Sequence, residues 1–198
     1  MNKKKKILPE LRFPEFKNEG EWEEKTLGDV TEVVSNRNKA IKKLPIYSIN
    51  NKEGFLPQKE QFEGVSSSDR GYDISLYKVI KRNTFAYNPA RIDVGSIGFS
   101  GELDNIIISS LYVCFQAIQN VDNKFLWQFF HTFQFNRSVK NNVEGGIRNY
   151  LFYENFSKIN IAVPSNIQEQ KKISSCLSSL DELIETYSQK LELLKDHK

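Results

Sequence analysis

The C-terminal segment of the chain carries the pattern that most restricts its fold. Over the last 32 residues, apolar side chains recur at alternating intervals of four and three: Ile173, Leu177, Leu180, Ile184, Tyr187, Leu191 and Leu194. This is the a/d repeat of a coiled coil, with Leu177, Ile184 and Leu191 at position a. A helix cannot bury such a seam against itself. The spacing therefore predicts a dimerisation helix over residues 166–198, and because the chain has one segment of this kind, we expect a homodimer.

Residues 1–165 have the mixed pattern of a single α/β domain. Residues 1–22 hold two prolines and a lysine run without periodicity, which indicates an extended arm. After residue 44, short β-branched and aromatic runs alternate with breaks rich in Gly and Asn. These runs predict strands at residues 45–49, 76–80, 84–87, 94–99, 106–118 and 159–163.

Capping residues indicate where two helices begin. Thr26 followed by Asp29 forms a capping box for a short helix over residues 26–34. Asp122 caps a second helix, whose core face is predicted to hold Phe125, Leu126, Phe129, Phe130 and Phe133. Together the patterns predict an α+β fold, with one mixed α/β domain followed by a long C-terminal coiled-coil helix.

Cysteine use and hydropathy indicate a cytoplasmic protein. Cys114 and Cys176 stand 62 positions apart without a CxxC pair, which argues for a reducing compartment and against a disulfide framework or structural zinc. Residues 1–6 resemble the basic start of a signal peptide, but charges follow where an apolar stretch is required. No window has 18 apolar residues, so we expect no membrane contact. The net charge of +3 is too small to indicate a nucleic-acid partner by itself.

The motifs that come nearest to an enzyme signature are incomplete. Residues 88–91 read Asn-Pro-Ala-Arg, and Arg91 stands where amino-group DNA methyltransferases need an aromatic ring against a flipped base. Gly95, Gly98 and Gly101 recur every three residues and do not form a GxGxxG loop. His131 and His197 are the only histidines, and neither has an evident catalytic or metal-binding neighbour. We therefore expect no catalytic site, no cofactor and no metal.

Several short segments occur in a specific order along the chain. Residues 8–16 read Leu-Pro-Glu-Leu-Arg-Phe-Pro-Glu-Phe, and residues 27–30 read Leu-Gly-Asp-Val. Residues 85–91 read Phe-Ala-Tyr-Asn-Pro-Ala-Arg, residues 161–164 read Ile-Ala-Val-Pro, and residues 168–170 read Gln-Glu-Gln. From about residue 8 to residue 195, this ordered set resembles the specificity subunit of type I restriction-modification systems. It matches the target recognition domain of that subunit and the start of its spacer helix.

The resemblance implies a non-catalytic protein that reads double-stranded DNA and docks methyltransferase (M) subunits and a restriction (R) subunit. Full-length members have two recognition domains and two long helices paired antiparallel, whereas this chain has one of each. It is therefore either a natural half-length subunit or a shortened chain. In both cases a homodimer through the C-terminal helix restores the two-domain plan and reads a bipartite inverted repeat. The alternative is a coiled-coil interaction or decoy protein that binds methyltransferase subunits without reading DNA.

Candidate DNA contacts are polar and basic side chains in predicted loops, because such groups bind phosphates and base edges. Arg91 either contacts phosphate or ties loops together. The full candidate set is Asn36, Arg37, Asn38, Lys39, Lys42, Lys43, Ser68, Arg70, Tyr72, Arg91, Arg148 and Asn149.

Overall fold

The computed structural model describes residues 6–143 and 150–196, apart from the side chains of Lys6 and Asp196. The strands are, in chain order, β1 (Lys6–Ile7), β2 (Trp22–Thr26), β3 (Thr31–Val33), β4 (Ile46–Asn50), β5 (Gly54–Pro57), β6 (Lys78–Ile80), β7 (Thr84–Tyr87), β8 (Ile97–Phe99), β9 (Ile106–Ile108), β10 (Val113–Ala117) and β11 (Asn160–Val163). The helices are α1 (Leu27–Val30), α2 (Gln58–Gln61), α3 (Asn123–Phe130), α4 (Phe133–Asn142), α5 (Tyr153–Phe156) and α6 (Ile167–Asp196). Short 3-10 helices lie at Pro14–Phe16, Ile74–Leu76 and Ile92–Val94.

The strands of the described residues form three small sheets. One has the order β1-β2-β11 and is antiparallel, one has the order β3-β10-β7-β8, and one has the order β5-β4-β9-β6. In the last sheet β4 runs parallel to β9. The main core packs β7 and β10 against α3, α4 and α5 around the stacked rings of Phe85 and Phe115, whose centroids are 5.2 Å apart. A smaller core lies under the third sheet, around Ile80 and Ile108.

The start of α1 confirms the predicted capping box, but this helix is shorter than predicted. Thr26 Oγ1 accepts a hydrogen bond from the backbone N–H of Asp29 at 3.2 Å, and Asp29 Oδ2 accepts from that of Thr26 at 2.8 Å. The helix ends at Val30, and Thr31–Val33 continues as strand β3 beside β10. The β-branched residues of this stretch pair with a strand that is distant in sequence, and helical spacing alone did not show it.

The aromatic helix also differs from its prediction at its end. Asp122 caps α3 as expected, because its Oδ1 accepts from the backbone N–H of Phe125 at 2.8 Å. The helix stops at Phe130, and Thr132 caps a second helix, α4. Phe133 was predicted to lie in the core, and this is wrong, since it is 80% exposed. The break turns α4 so that Phe135 enters the core instead.

The strand predicted over residues 106–118 is two strands in different sheets. Ile106–Ile108 lies between β4 and β6, while Val113–Ala117 lies between β3 and β7. A turn joins them, in which the backbone N–H of Tyr112 donates to the carbonyl of Ser109 at 3.2 Å. The continuous apolar run hid this turn.

Residues 8–22, predicted as part of an extended arm, pack against the base of α6. Arg12 donates from Nε and Nη2 to the two carboxylate oxygens of Glu169, both at 2.7 Å. Trp22 Nε1 donates to Glu169 Oε1 at 3.1 Å. The Arg12 and Glu169 side chains are 7% and 1% exposed, and the hydrogen bond to Glu169 raises the pKa of Arg12 above its usual range.

A second set of side chains holds the same end of α6 on its other side. Gln170 accepts from the backbone N–H of Asp122 at 2.8 Å and donates to the carbonyl of Pro164 at 2.8 Å. Ser174 donates to Asp122 Oδ1 at 3.1 Å, and Gln128 donates to Asp181 at 3.0 Å. Helix α6 is therefore fixed to the domain from its start to about residue 181. Beyond that point its side chains are exposed as far as residue 195.

The structure confirms the predicted α+β fold with a long C-terminal helix. Among the described residues, no helix combines the length and the apolar character needed to cross a membrane.

Candidate nucleic-acid interface

Three adjoining recesses, which share lining residues, form one groove on the domain. The first, of about 510 Å³, lies between the end of β4 and residues 88–91. The second, of about 590 Å³, shares Tyr112 with the first and extends to Arg70 and Tyr72. The third, of about 690 Å³, shares Arg91 with the first and extends to Tyr150 and Phe152. We call these three recesses together the recognition groove.

Arg91 stands in the middle of the recognition groove on a rigid loop. The carbonyl of Asn88 accepts a hydrogen bond from the backbone N–H of Arg91 at 3.0 Å. The carbonyl of Arg91 accepts one from the backbone N–H of Ser96, also at 3.0 Å. The loop closes at Gly95, whose φ of +89° suits a residue without a side chain. The Arg91 side chain is exposed, and no carboxylate of the described residues lies within ion-pair distance. Its backbone is fixed while its guanidinium faces the groove.

The loop that presents Arg70 and Tyr72 is closed by its own hydrogen bonds. Asp69 accepts from the hydroxyl of Ser66 at 2.6 Å and from its backbone N–H at 2.8 Å, and these bonds lower the pKa of Asp69. The guanidinium of Arg70 lies 5.4 Å from the centre of the Phe62 ring, a cation–π distance. This contact holds Arg70 at the groove wall without neutralising its charge.

The predicted basic loop lies beside β6, and its first residues extend that sheet. The carbonyl of Asn36 accepts from the backbone N–H of Val79 at 2.7 Å, and the backbone N–H of Asn38 donates to Tyr77 at 2.8 Å. Asn38 is 3% exposed, and its amide group both accepts from and donates to the backbone of Lys42 at 3.0 Å. The side chain of Asn38 therefore shapes the loop, and we remove it from the set of candidate DNA contacts.

The remaining candidates lie in the recognition groove, in a separate recess, on the exposed basic loop, or outside the described residues. Arg70, Tyr72 and Arg91 line the recognition groove. Lys43 and Ser68 line a separate recess of about 570 Å³. Asn36, Arg37, Lys39 and Lys42 are exposed but line none of these recesses. Arg148 and Asn149 lie outside the described residues.

Sequence reasoning missed several groove residues because it missed the hairpin that carries them. Strand β5 pairs with β4, and Asn51 and Lys52 in the turn between them line the first recess beside Asn50. Gln61 also lines it and accepts a hydrogen bond from Ser48. The pair Asn50-Asn51 was a usable signal, because Asn favours turns. The hairpin was missed because Gly54 and Pro57 made β5 resemble a loop.

The Cys114 thiol is buried, and the His131 ring lies against a backbone carbonyl. Burial raises the pKa of the Cys114 thiol to about 12, so it is not a nucleophile at neutral pH. His131 Nδ1 lies 2.8 Å from the carbonyl of Trp127. In residues 6–143 and 150–196, no group of three or more His, Cys, Asp or Glu is arranged to hold a metal ion.

The predicted coiled-coil seam is mostly exposed on α6. Leu177 is 39% exposed, and the fraction is 50% to 65% at Leu180, Ile184, Tyr187, Leu191 and Leu194. Ile173 differs, because it is half-buried against the main core and lines an apolar recess of about 410 Å³ with Leu11, Phe13 and Trp22. The available seam therefore begins at Leu177. At Ile173 the helix face is already in contact with its own domain.

Comparison with known proteins gives a family and a set of related folds. The family model described as "Type I restriction modification DNA specificity domain" matches residues 19–196. The chain is similar to the HsdS subunit from Thermoanaerobacter tengcongensis, with a TM-score of 0.60 and 16% identity over 85% of this chain and 44% of that one. It is also similar to the type I restriction-modification S subunit from M. genitalium, with a TM-score of 0.58 and 14% identity over 92% of this chain and 44% of that one.

The chain is also similar to a third solved structure, with a TM-score of 0.57 and 13% identity over 93% of this chain and 43% of that one. That structure is described as the structural basis underlying complex assembly and conformational transition of the type I R-M system. The chain thus spans less than half the length of these solved chains. A sequence comparison with curated proteins gave no match.

Proposed function

The chain belongs to the family of type I restriction-modification DNA specificity domains, and we therefore propose that it reads one half of a bipartite DNA site through the recognition groove. The observation that carries the proposal is the groove itself. It presents Arg70 and Arg91 with the amides of Asn50, Asn51 and Gln61. Arginine is suited to guanine in the major groove, and the amides of Asn and Gln are suited to adenine.

The charge of the recognition groove supports DNA as its occupant. Among the described residues that line it, Asp73 is the one carboxylate, and it accepts from the backbone N–H of Ser75 at 2.9 Å. The exposed Arg37, Lys39 and Lys42 lie on the loop beside β6 and add positive charge outside the groove. We assign the groove to base reading and this loop to phosphates, because exposed lysines and arginines bind backbone without distinguishing sequence.

Two sets of variants test this division of roles. Replacing Arg37, Lys39, Lys42 and Lys43 by Ala should weaken binding of all sequences and make the salt dependence of the affinity shallower, by roughly one unit for each phosphate that these residues bind. Replacing Arg70 and Arg91 by Ala should instead reduce the preference for the target over unrelated DNA, by about 1–3 kcal/mol for each base that an arginine reads.

The control replaces Lys124 and Lys140 by Ala. These are exposed cations on α3 and α4 that line none of the recesses, so the affinity for DNA should stay unchanged. Affinities should be measured on the assembled complex over a range of salt concentrations. If both test sets match this control while methyltransferase subunits still bind, the chain is an interaction protein and not a reader of DNA.

The exposed seam supports assembly of two copies into the two-domain plan. We propose that α6 of one copy pairs antiparallel with α6 of the other, so that each domain reads the same half-site of an inverted repeat. In this assembly methyl transfer and cleavage belong to the M and R subunits. The purified chain with S-adenosylmethionine, magnesium and DNA should therefore leave the DNA unmodified.

Substitutions on two faces of α6 test the homodimer. Leu180→Asp with Ile184→Asp places two charges in the seam and should yield a monomer in analytical ultracentrifugation. Thr186→Asp with Leu193→Asp is the matched control, because both residues are exposed on the opposite face of the same helix. The control should remain a dimer. A dimer that survives the seam substitutions would contradict the proposal.

A further inference from the structure

The apolar positions of α6 allow several antiparallel pairings, each offset from the next by a heptad. In an antiparallel pair an a residue faces a d residue of the other helix, so Leu180 faces Ile184, Leu191 or a still more distant position. The choice decides how far apart the two domains lie. The spacing of apolar residues in α6 does not select one of these pairings. The contacts at the start of α6 do select one.

Residues 11–22 occupy the seam face at the start of the helix. Glu169 lies one turn before Ile173 on that face and is 1% exposed, since Arg12 and Trp22 cover it. Lys172 extends this contact, with its Nζ 3.4 Å from Glu15 and 5.6 Å from the centre of the Phe13 ring. A second helix that approaches along the seam therefore meets this segment at the level of Glu169, and no seam face is available beyond it.

We infer that the two copies of α6 pair with Leu177 opposite Leu194, Leu180 opposite Leu191, and Ile184 opposite Tyr187. The inference rests on the proposed homodimer and specifies its geometry. This register pairs all six exposed seam residues with one another about a centre between residues 185 and 186. Asp196, the last described residue of the second helix, then lies level with residue 175, two residues from Ile173, where the helix face meets its own domain.

The neighbouring registers fit the structure less well. Shifting by one heptad toward the domain sets Leu194 level with Gln170 and Asp196 level with residue 168, where Arg12 and Trp22 already cover the helix. It also brings Asp181 of the two copies together at the edge of the seam. Shifting by one heptad the other way pairs only four of the six exposed seam residues with one another, and within residues 167–196 it gives no apolar partner to Leu177 and Leu180, which are 39% and 50% exposed. In the inferred register Asp181 faces Ser188 instead.

Disulfide trapping of mixed chains tests the register. Two chains are prepared with Cys176→Ser, one carrying Leu180→Cys and the other Leu191→Cys, and they are mixed and oxidised after subunit exchange. A covalent heterodimer should form, because these positions face each other within disulfide reach. The matched pair Leu180→Cys with Ile184→Cys belongs to the register one heptad closer and should not cross-link. Efficient cross-linking of that pair, or of Leu180→Cys with itself, would overturn the inference.

A distance measurement on the native sequence covers the case in which the cysteine variants do not fold. Cys176 is exposed and Cys114 is buried, so a spin label attaches at Cys176 alone. The inferred register separates the two labels by 19 residues of helical rise, about 28 Å along the axis. The registers one heptad closer or farther give about 18 Å and about 39 Å. Either of these distances would overturn the register, whereas a monomer in ultracentrifugation would instead overturn the homodimer on which it rests.

Discussion

At the scale of single residues, Phe133 and Phe135 show how one turn of backbone decides between solvent and core. Phe133 is 80% exposed, whereas Phe135 is 1% exposed and lies 5.0 Å from the ring of Phe130. Thr132 makes the difference, because its hydroxyl accepts from the backbone N–H of Phe135 at 3.1 Å and starts α4 in a new direction. The two side chains therefore contribute very differently to stability.

We expect Phe135→Ala to lower the free energy of unfolding by about 3–5 kcal/mol, because removing a buried ring leaves a cavity. Phe133→Ala serves as the matched control and should change it by less than about 0.5 kcal/mol. Urea unfolding followed by circular dichroism measures both. Equal decreases for the two variants would mean that Phe133 is buried in solution and that α3 continues through residue 133.

Residue environments were predictable from the sequence where they depend on near neighbours. The caps at Thr26 and Asp122 were predicted correctly, since each joins groups three residues apart. The burial of Asn38 was not, because it depends on β6, about 40 positions later in the chain. Arg91 was identified as a candidate from its neighbours in sequence. Its place at the centre of the groove follows from packing against the β4–β5 hairpin, which the sequence did not reveal.

At the scale of elements, the orientation of α6 depends on buried polar contacts at its base. Glu169, Gln170 and Ser174 are all at most 2% exposed, and each has a hydrogen-bonded partner outside the helix. Removing one member of a buried ion pair is strongly destabilising, because the other charge is left without compensation. A pair at the surface contributes little, because water solvates both charges.

Glu169→Gln should therefore lower the midpoint of thermal unfolding by several degrees and expose residues 8–22 to proteolysis. Glu192→Gln is a matched control, because Glu192 pairs with Lys195 at the same N–O distance of 2.7 Å but at 69% side-chain exposure. We expect that control to shift the midpoint by less than about 2 °C. Differential scanning calorimetry compares them. If the two shifts are equal, the contact between Arg12 and Glu169 does not hold α6.

Element types were predicted best where the pattern was long or bounded by clear turns. The helix at α6 and the strand at β7 follow the sequence closely. The short strands β1, β2, β3 and β5 were missed, and the run over residues 106–118 was merged into one strand. Strand β5 pairs locally with β4, but β2 pairs with β11 and β3 with β10 over long sequence separations, and local propensity does not contain that information.

At the scale of the whole molecule, the α+β class and the separate C-terminal helix followed from the change of periodicity near residue 166. The order of strands in the three sheets did not, since it depends on contacts between distant segments. The inferred register also sets the distance between the two domains. Along the helix axis, the Ser174 residues of the two copies are separated by 23 residues of helical rise. This is about 35 Å, or on the order of 10 base pairs at ~3.4 Å each.

The helix should therefore act as a ruler between the two half-sites. Adding one heptad in register between Leu180 and Tyr187 lengthens each helix by about 10.5 Å. The paired seam stays continuous and gains one repeat in each helix, so the domains move apart by the same amount. The unread gap of the DNA site should grow by roughly three base pairs, while the half-site sequences stay the same. Three base pairs also rotate one half-site by about 100°, and DNA twist or the methyltransferase subunits must absorb that rotation.

Methylome sequencing of cells that express the insertion variant with methyltransferase subunits measures both the gap and the half-sites. A two-residue insertion at the same position is the control. It rotates the seam after the insertion by about 200° relative to the seam before it, so the two halves no longer share one face, and dimerisation and methylation should be lost together. An unchanged gap in the heptad variant would show that α6 does not set the spacing. Altered half-site letters would show that the helix takes part in base reading, and the assignment of recognition to the groove would then be wrong.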